Sequence, residues 1–164
     1  MRIGDIMSRP VVVTRPDDTL EEAARLMWEC DCGFVPVVDQ ENRVAGTVTD
    51  RDICMAAYTK GRALRDLRVA DAMAREVHSV REDDDVKRAE RLMADKQVRR
   101  LPVVDRDGRP IGVVTLGDAA RFAARERTGR GDGQEVTSSL AEISRPRQPQ
   151  MQASARHGEG ARQT

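Results

Sequence analysis

The sequence predicts an α/β (α+β) fold in which two β-α-β-β-α repeats pack as a pseudo-twofold module, followed by a flexible C-terminal tail. Three observations carry that reading. Residues 4–53 align with residues 70–119 at a constant offset of 66, without a gap. Within each copy, short β-branched runs alternate with stretches of helical periodicity. Beyond Arg127 the composition turns to Gly, Arg, Gln, Ser and Pro, a mixture that buries too little apolar surface to order itself.

The repeat is legible residue by residue. Gly4-Asp5-Ile6-Met7 answers Ala70-Asp71-Ala72-Met73, Pro36-Val37-Val38-Asp39 answers Pro102-Val103-Val104-Asp105, and both copies close on G-x-V-T-x-x-D. Solenoids need about three stacked units to bury a continuous core. Two copies therefore predict a closed pair, each unit covering the other's apolar face, with any site along the shared boundary occurring twice.

In the first copy, Val11-Val12-Val13 reads as a strand ending at the turn Thr14 to Asp18. Thr19-Leu20-Glu21-Glu22 has capping-box form and predicts a helix start, with Leu20, Ala23, Ala24 and Met27 as its apolar stripe. Phe34 to Val38 and Val44 to Val48 read as strands around the polar turn Asp39 to Asn42, and Thr49 to about Tyr58 as a helix. The second copy predicts a strand over 77–80, helices over 85–96 and 116–127, and strands over 100–104 and 111–115, with Asp107-Gly108 marking the hairpin. The organisation is thus repeat 1 over 1–58, a charged surface connector over 59–69, repeat 2 over 70–127, and a mostly disordered tail over 128–164. Within the tail, Leu140, Ala141 and Ile143 suit a short helix over 138–143 before Pro146 stops it.

Composition narrows the function. Lys plus Arg equals Asp plus Glu at 28 each, so no global basic field favours nucleic acid. No apolar run approaches the roughly 20 residues of a membrane span, and no secretory signal opens the chain; a cytoplasmic location is expected. Cys30, Cys32 and Cys54 lack C-x-x-C spacing and a neighbouring histidine, which points away from zinc and disulfides and leaves a Cys30–Cys32 redox pair as the lesser alternative to ordinary buried or boundary thiols. Trp28 reads as a core or dimer contact, and Met27 and Met93 as core. His78 has no partners at metal spacing, His157 lies in the tail, and Arg130-Gly131-Asp132 resembles an adhesion tripeptide by accident.

The chemistry concentrates in G-x-V-T-x-x-D. It sets Thr49 and Thr115 at strand-to-helix junctions, with Asp52 and Asp118 one helical turn on. Unpaired amides at a helix N-terminus and a threonine hydroxyl can meet a phosphate, and an aspartate can accept from two ribose hydroxyls. Gly46 and Gly112 fit a close backbone approach. Thr followed by an acidic residue is also an ordinary N-cap; recurrence in register, beside a shared Pro-Val-Val-Asp strand, favours the ligand site.

With these motifs in view, residues 1 to about 127 resemble the paired cystathionine-beta-synthase (CBS) domain family, or Bateman module. The resemblance implies two repeats packed sheet to sheet, adenine nucleotides or adenosyl ligands in two inter-repeat clefts, frequent pairing into disc-shaped homodimers, and a sensor's role rather than a catalyst's. It assigns Thr49 and Asp52 to phosphate and ribose in one cleft, Thr115 and Asp118 to the other, and adenine contacts to Phe34-Val35-Pro36 and Arg100-Leu101-Pro102. Ser79 matches a further Ser/Thr position of the family, where the first copy has Val13, so the two sites are not expected to be equivalent. Arg51 could pair with a phosphate in fork geometry or remain a solvated surface charge, and Arg99 and Arg100 share that ambiguity. With aromatics at 2% of the chain, base stacking falls to Phe34 or Tyr58.

The expected function is a non-catalytic regulatory protein that binds an adenine-containing small molecule (AMP, ADP, ATP, S-adenosylmethionine or NAD), with no obligatory cofactor or metal, and signals to an unknown effector protein, most simply as a homodimer. The alternative is a structural or stress-related interaction dimer with vestigial clefts. An enzyme is disfavoured because no nucleophile-base pair, paired catalytic carboxylates or metal cluster is visible. Nucleic-acid binding through the tail is weaker still.

Overall fold

In the computed structural model, which describes residues 1–126, the order within each copy is a 3-10 turn, an extended lead-in, a helix, a hairpin and a second helix. Repeat 1 contains α1 (Leu20–Glu29), β1 (Phe34–Val38), β2 (Val44–Thr49) and α2 (Asp50–Lys60). Repeat 2 contains β3 (Val80–Arg81), α3 (Val86–Lys96), β4 (Arg100–Val104), β5 (Pro110–Thr115) and α4 (Leu116–Glu126). The 138–143 helix and the tail fall outside the described residues.

The hairpins superpose in register: Phe34 opposes Thr49 as Arg100 opposes Thr115, and both carry an irregularity one residue before the turn. Each turn is wound about the aspartate that ends its first strand. Asp39 Oδ1 accepts from the amides of Glu41 and Arg43, and Asp105 Oδ1 from those of Asp107 and Arg109. The Arg43 amide foremost holds the Asp39 carboxyl below its ordinary pKa. The final aspartate of Pro-Val-Val-Asp is thereby a turn residue.

The first strand of each hairpin is buried on both faces. Val35, Val37 and Val48 join Leu20, Ala23, Met27 and Ile53 in one core, and Leu101, Val103 and Val114 join Val80, Ala89 and Met93 in the other. The alternate residues Phe34, Pro36, Val38, Pro102 and Val104 point to the opposite face and are buried as well.

The expected strand over 11–13 does not form, and its counterpart over 77–80 shrinks to β3. Thr14 makes a single parallel bridge to Val37, its amide donating to Pro36 O and its carbonyl accepting from Val38 N; Val80 bridges Val103 at the equivalent place. Extending either ladder upstream would require an N–H from Pro36 or Pro102, and proline has none. The α1 capping box is half realised: Thr19 Oγ1 accepts from Glu22 N at 3.1 Å, but the Glu22 carboxylate turns to Arg25.

The connector over 59–69 departs furthest from expectation. Thr59 to Ala63 is exposed, yet Leu67 and Val69 are completely buried, and they enter the core of repeat 1. Val69 N donates to Asp18 O and Ala70 N to Pro16 O, while Ala74 bridges Thr47. The chain start does the same on repeat 2: Ile3 is fully buried beside Val80 and Leu101, Ile3 N donates to Asp84 O, and Ser8 bridges Val113. The segment that opens each repeat thus docks on the other repeat. Charge misled the connector's reading because two apolar residues, spaced to face inward, carry its packing.

This exchange explains the motif glycines. A Cβ on Gly46 would stand 2.9 Å from Ala74 O, and one on Gly112 3.0 Å from Ser8 O, so the close approach is made by the exchanged backbone. Gly46→Ala should therefore lower the urea midpoint, at a cost of about 1–3 kcal/mol for forced overpacking.

Candidate nucleotide-binding site

Each Thr-x-x-Asp forms a complete capping box. Asp52 Oδ2 accepts from Thr49 N at 2.9 Å and from Thr49 Oγ1 at 2.7 Å, and Thr49 Oγ1 accepts from Asp52 N at 3.2 Å. In repeat 2 the corresponding distances are 2.8, 2.7 and 3.1 Å. The extended strand must stop at the threonine because the next residue is helical, and the box satisfies amides left open at that junction. One carboxylate oxygen of each aspartate is consumed by the box; the other takes no part in it.

At that second oxygen the repeats differ. Asp52 Oδ1 has no hydrogen bond among the described residues, whereas Asp118 Oδ1 accepts from the Arg121 guanidinium. Asp118 is buried, with its side chain 5% exposed, and Arg121 is 67% exposed. Met55 stands at the repeat-1 position equivalent to Arg121, and Arg51 at that equivalent to Gly117. A Cβ on Gly117 would lie 3.4 Å from Arg121 Nη1, so the bare glycine leaves room for that guanidinium. Sequence reasoning missed Arg121; its signal was the i,i+3 spacing from Asp118 on one helix face.

The hairpin register brings Phe34-Val35-Pro36 beside Thr49, and Arg100-Leu101-Pro102 beside Thr115. Val35 and Leu101 turn their side chains into the cores, which leaves backbone as their exposed chemistry. Arg100 is half-buried and its Nη1 donates to Gly33 O at 3.0 Å, tying one repeat to the other. Arg51 is exposed and makes no ion pair among the described residues; its amide donates to Asp50 Oδ1. Ser79 is half-buried in the approach to β3, while Val13 is exposed. Tyr58 is not brought to the site, since nine helical steps of about 1.5 Å each separate it from Thr49.

A cavity of about 500 Å³ adjoins the α2 N-terminus, lined among others by Trp28, Cys32, Gly33, Asp50, Ile53 and Arg100. Neither Thr49 nor Asp52 lines it, so this volume and the Thr-Asp pair are neighbouring features; the register and the capping box, rather than the size of the hollow, locate the candidate site. Trp28, one of whose expected places was the core, is 87% exposed at the edge of the buried α1 stripe, one residue past Met27; Met27 and Met93 are core. Cys30 and Cys54 are exposed and Cys32 half-buried, all as free thiols. His78 Nε2 lies 3.3 Å from Glu76. Among the described residues no helix is long and apolar enough to cross a membrane.

A model of the CBS domain matches residues 3–58 and 69–125. The CBS domain-containing protein YhcV of Bacillus subtilis is 37% identical over 118 residues, 72% of this chain and 82% of its own length. An uncharacterised protein of Methanopyrus kandleri is 35% identical over 71% of this chain and 59% of its own length. The inosine-5'-monophosphate dehydrogenase of Methanocaldococcus jannaschii is 34% identical over 79% of this chain, which spans only 26% of that enzyme. Among solved structures, the CBS domain pair of protein MJ0100, in complex with 5'-methylthioadenosine and S-adenosyl-L-methionine, aligns with TM-score 0.68 at 25% identity, over 77% of this chain and 98% of that one. CBSX2 in complex with AMP aligns with TM-score 0.66 at 30% identity, over 77% and 98%. Two matched repeats that together span most of the described residues, on the fold their symmetry demands, place this chain in the CBS domain family as a tandem pair.

Proposed function

We propose that this CBS pair is a non-catalytic regulatory sensor that binds an adenine nucleotide or adenosyl ligand, with Asp52 and Asp118 accepting from ribose and the Thr49 and Thr115 helix starts facing phosphate. AMP, ADP, ATP, S-adenosylmethionine and NAD are the candidate ligands. The observation that carries the reading is the capping box repeated at both strand-to-helix junctions, which in each copy leaves one carboxylate oxygen outside the box. The AMP, methylthioadenosine and S-adenosylmethionine complexes of similar CBS pairs support the ligand class. Signalling follows if the ligand prefers one of two conformational or oligomeric states, read by an effector protein.

Thermal melts against these ligands and GTP test it. A ligand at about 100 times its dissociation constant stabilises by roughly 2.7 kcal/mol, which raises the Tm by several degrees in a domain of this size. A selective rise with one adenosine ligand is expected; a flat panel would favour the vestigial reading, which draws on the local use of each Thr-Asp pair in capping.

The sensor is proposed to act as a homodimer through the outer faces of α1 and α2, where Trp28, Tyr58 and Met55 are 87%, 81% and 47% exposed. Large apolar side chains so placed mark an interaction surface. Trp28→Glu should convert a dimer to a monomer in light scattering without lowering the monomer's helix content; a wild-type monomer would end this part of the proposal.

A further inference from the structure

We propose that Arg121 is an intramolecular clasp on the second cleft, so that the two clefts are unequal and the repeat-1 cleft fills first. The inference rests on the sensor reading above and adds its regulation. The two capping boxes match to within 0.1 Å at each bond, so they cannot distinguish the clefts. The difference lies at the oxygen outside the box. Asp118 Oδ1 is occupied by Arg121, while the position equivalent to Arg121 in repeat 1 holds Met55, which carries no hydrogen-bond donor.

A diol approaching Asp52 meets an acceptor with no bond among the described residues. A diol approaching Asp118 must first displace a guanidinium. The Arg121 head is largely in solvent, so its release is affordable; its partner is almost fully desolvated, which strengthens the bond beyond an ordinary surface pair. Together these place the handicap of the second cleft at roughly tenfold in dissociation constant. A ligand's phosphate, or any anion that competes for Arg121, relieves it. Two graded thresholds for one signal result.

Calorimetric titration of the full chain with AMP and, separately, with S-adenosylmethionine tests the clasp. Expected is one equivalent bound at the tighter affinity, weakened about 10- to 100-fold or more in Asp52→Ala, and a second, roughly tenfold weaker equivalent. Arg121→Met, an exposed substitution that copies repeat 1, should bring the second equivalent to within about twofold of the first, and Asp118→Ala in that background should remove it. Two equal sites in the wild type, a single site that Asp52→Ala leaves unweakened, or no change in Arg121→Met would overturn the clasp while leaving the sensor reading intact. No heat from either probe in wild type and Arg121→Met would overturn both.

Discussion

Asp52→Ala should weaken the tighter adenosine site by about 10- to 100-fold or more while the protein remains folded. Hydrogen bonds to a charged acceptor contribute roughly 1.5–3 kcal/mol each, and a ribose offers two donors to one carboxylate. The same change removes the acceptor of Thr49 N and Thr49 Oγ1, costing about 1 kcal/mol of helix capping. Asp52→Asn separates the two effects, because its amide oxygen can still cap Thr49 while an NH2 replaces the acceptor that would face the sugar. Binding should fall in both variants, and thermal stability chiefly in the alanine variant. Undiminished binding in Asp52→Asn would remove the ribose role from this residue.

Leu67→Ala should destabilise the protein by about 2–5 kcal/mol, the range for emptying a well-packed leucine site. That is a large part of the roughly 5–15 kcal/mol by which such domains are stable. Leu67 is completely buried among Leu20, Val69 and the β1 valines, although it sits in a segment whose charge advertises surface. Arg65→Ala, two residues earlier and exposed, should change stability by no more than about 0.5 kcal/mol. Urea titrations of the pair decide the matter: equal midpoints would mean that the connector is not anchored.

The contrast between Leu67 and Arg65 marks where the sequence stops speaking. Local chemistry was legible: Thr19 and Thr49 cap helices, Gly108 takes a left-handed turn at φ 81°, and the Thr-Asp pairs stand where the motif put them. The exchange of lead-in segments was not, because a gapless repeat with matching apolar positions is degenerate. Ile3 and Val69 occupy equivalent positions, so the same contacts satisfy either copy whether each lead-in docks on its own repeat or on its neighbour. Strand 11–13 failed for a related reason: its fate depended on a proline in a partner strand, and pairing partners are not local. For the site, the motif gave the acceptor but not its availability, since Arg121 acts from a position at which the two copies simply differ.

The exchanged lead-ins also order the events of the protein's birth. A chain leaving the ribosome presents Ile3 long before Val80, Leu101 and Val114 exist to receive it, and repeat 1 lacks Leu67 and Val69 until its own second helix has passed. The interior of repeat 1 is drawn from the contiguous residues 12–73, which run past its apparent end, whereas that of repeat 2 needs Ile3 from the start of the chain. The first residues synthesised must wait, apolar and uncovered, for nearly the last described ones, so the closing step of maturation is the docking of the chain start on repeat 2. A genetic cut after residue 58 would strip repeat 1 of Leu67 and Val69 and repeat 2 of Ile3, and mixing the two fragments should restore what neither has alone.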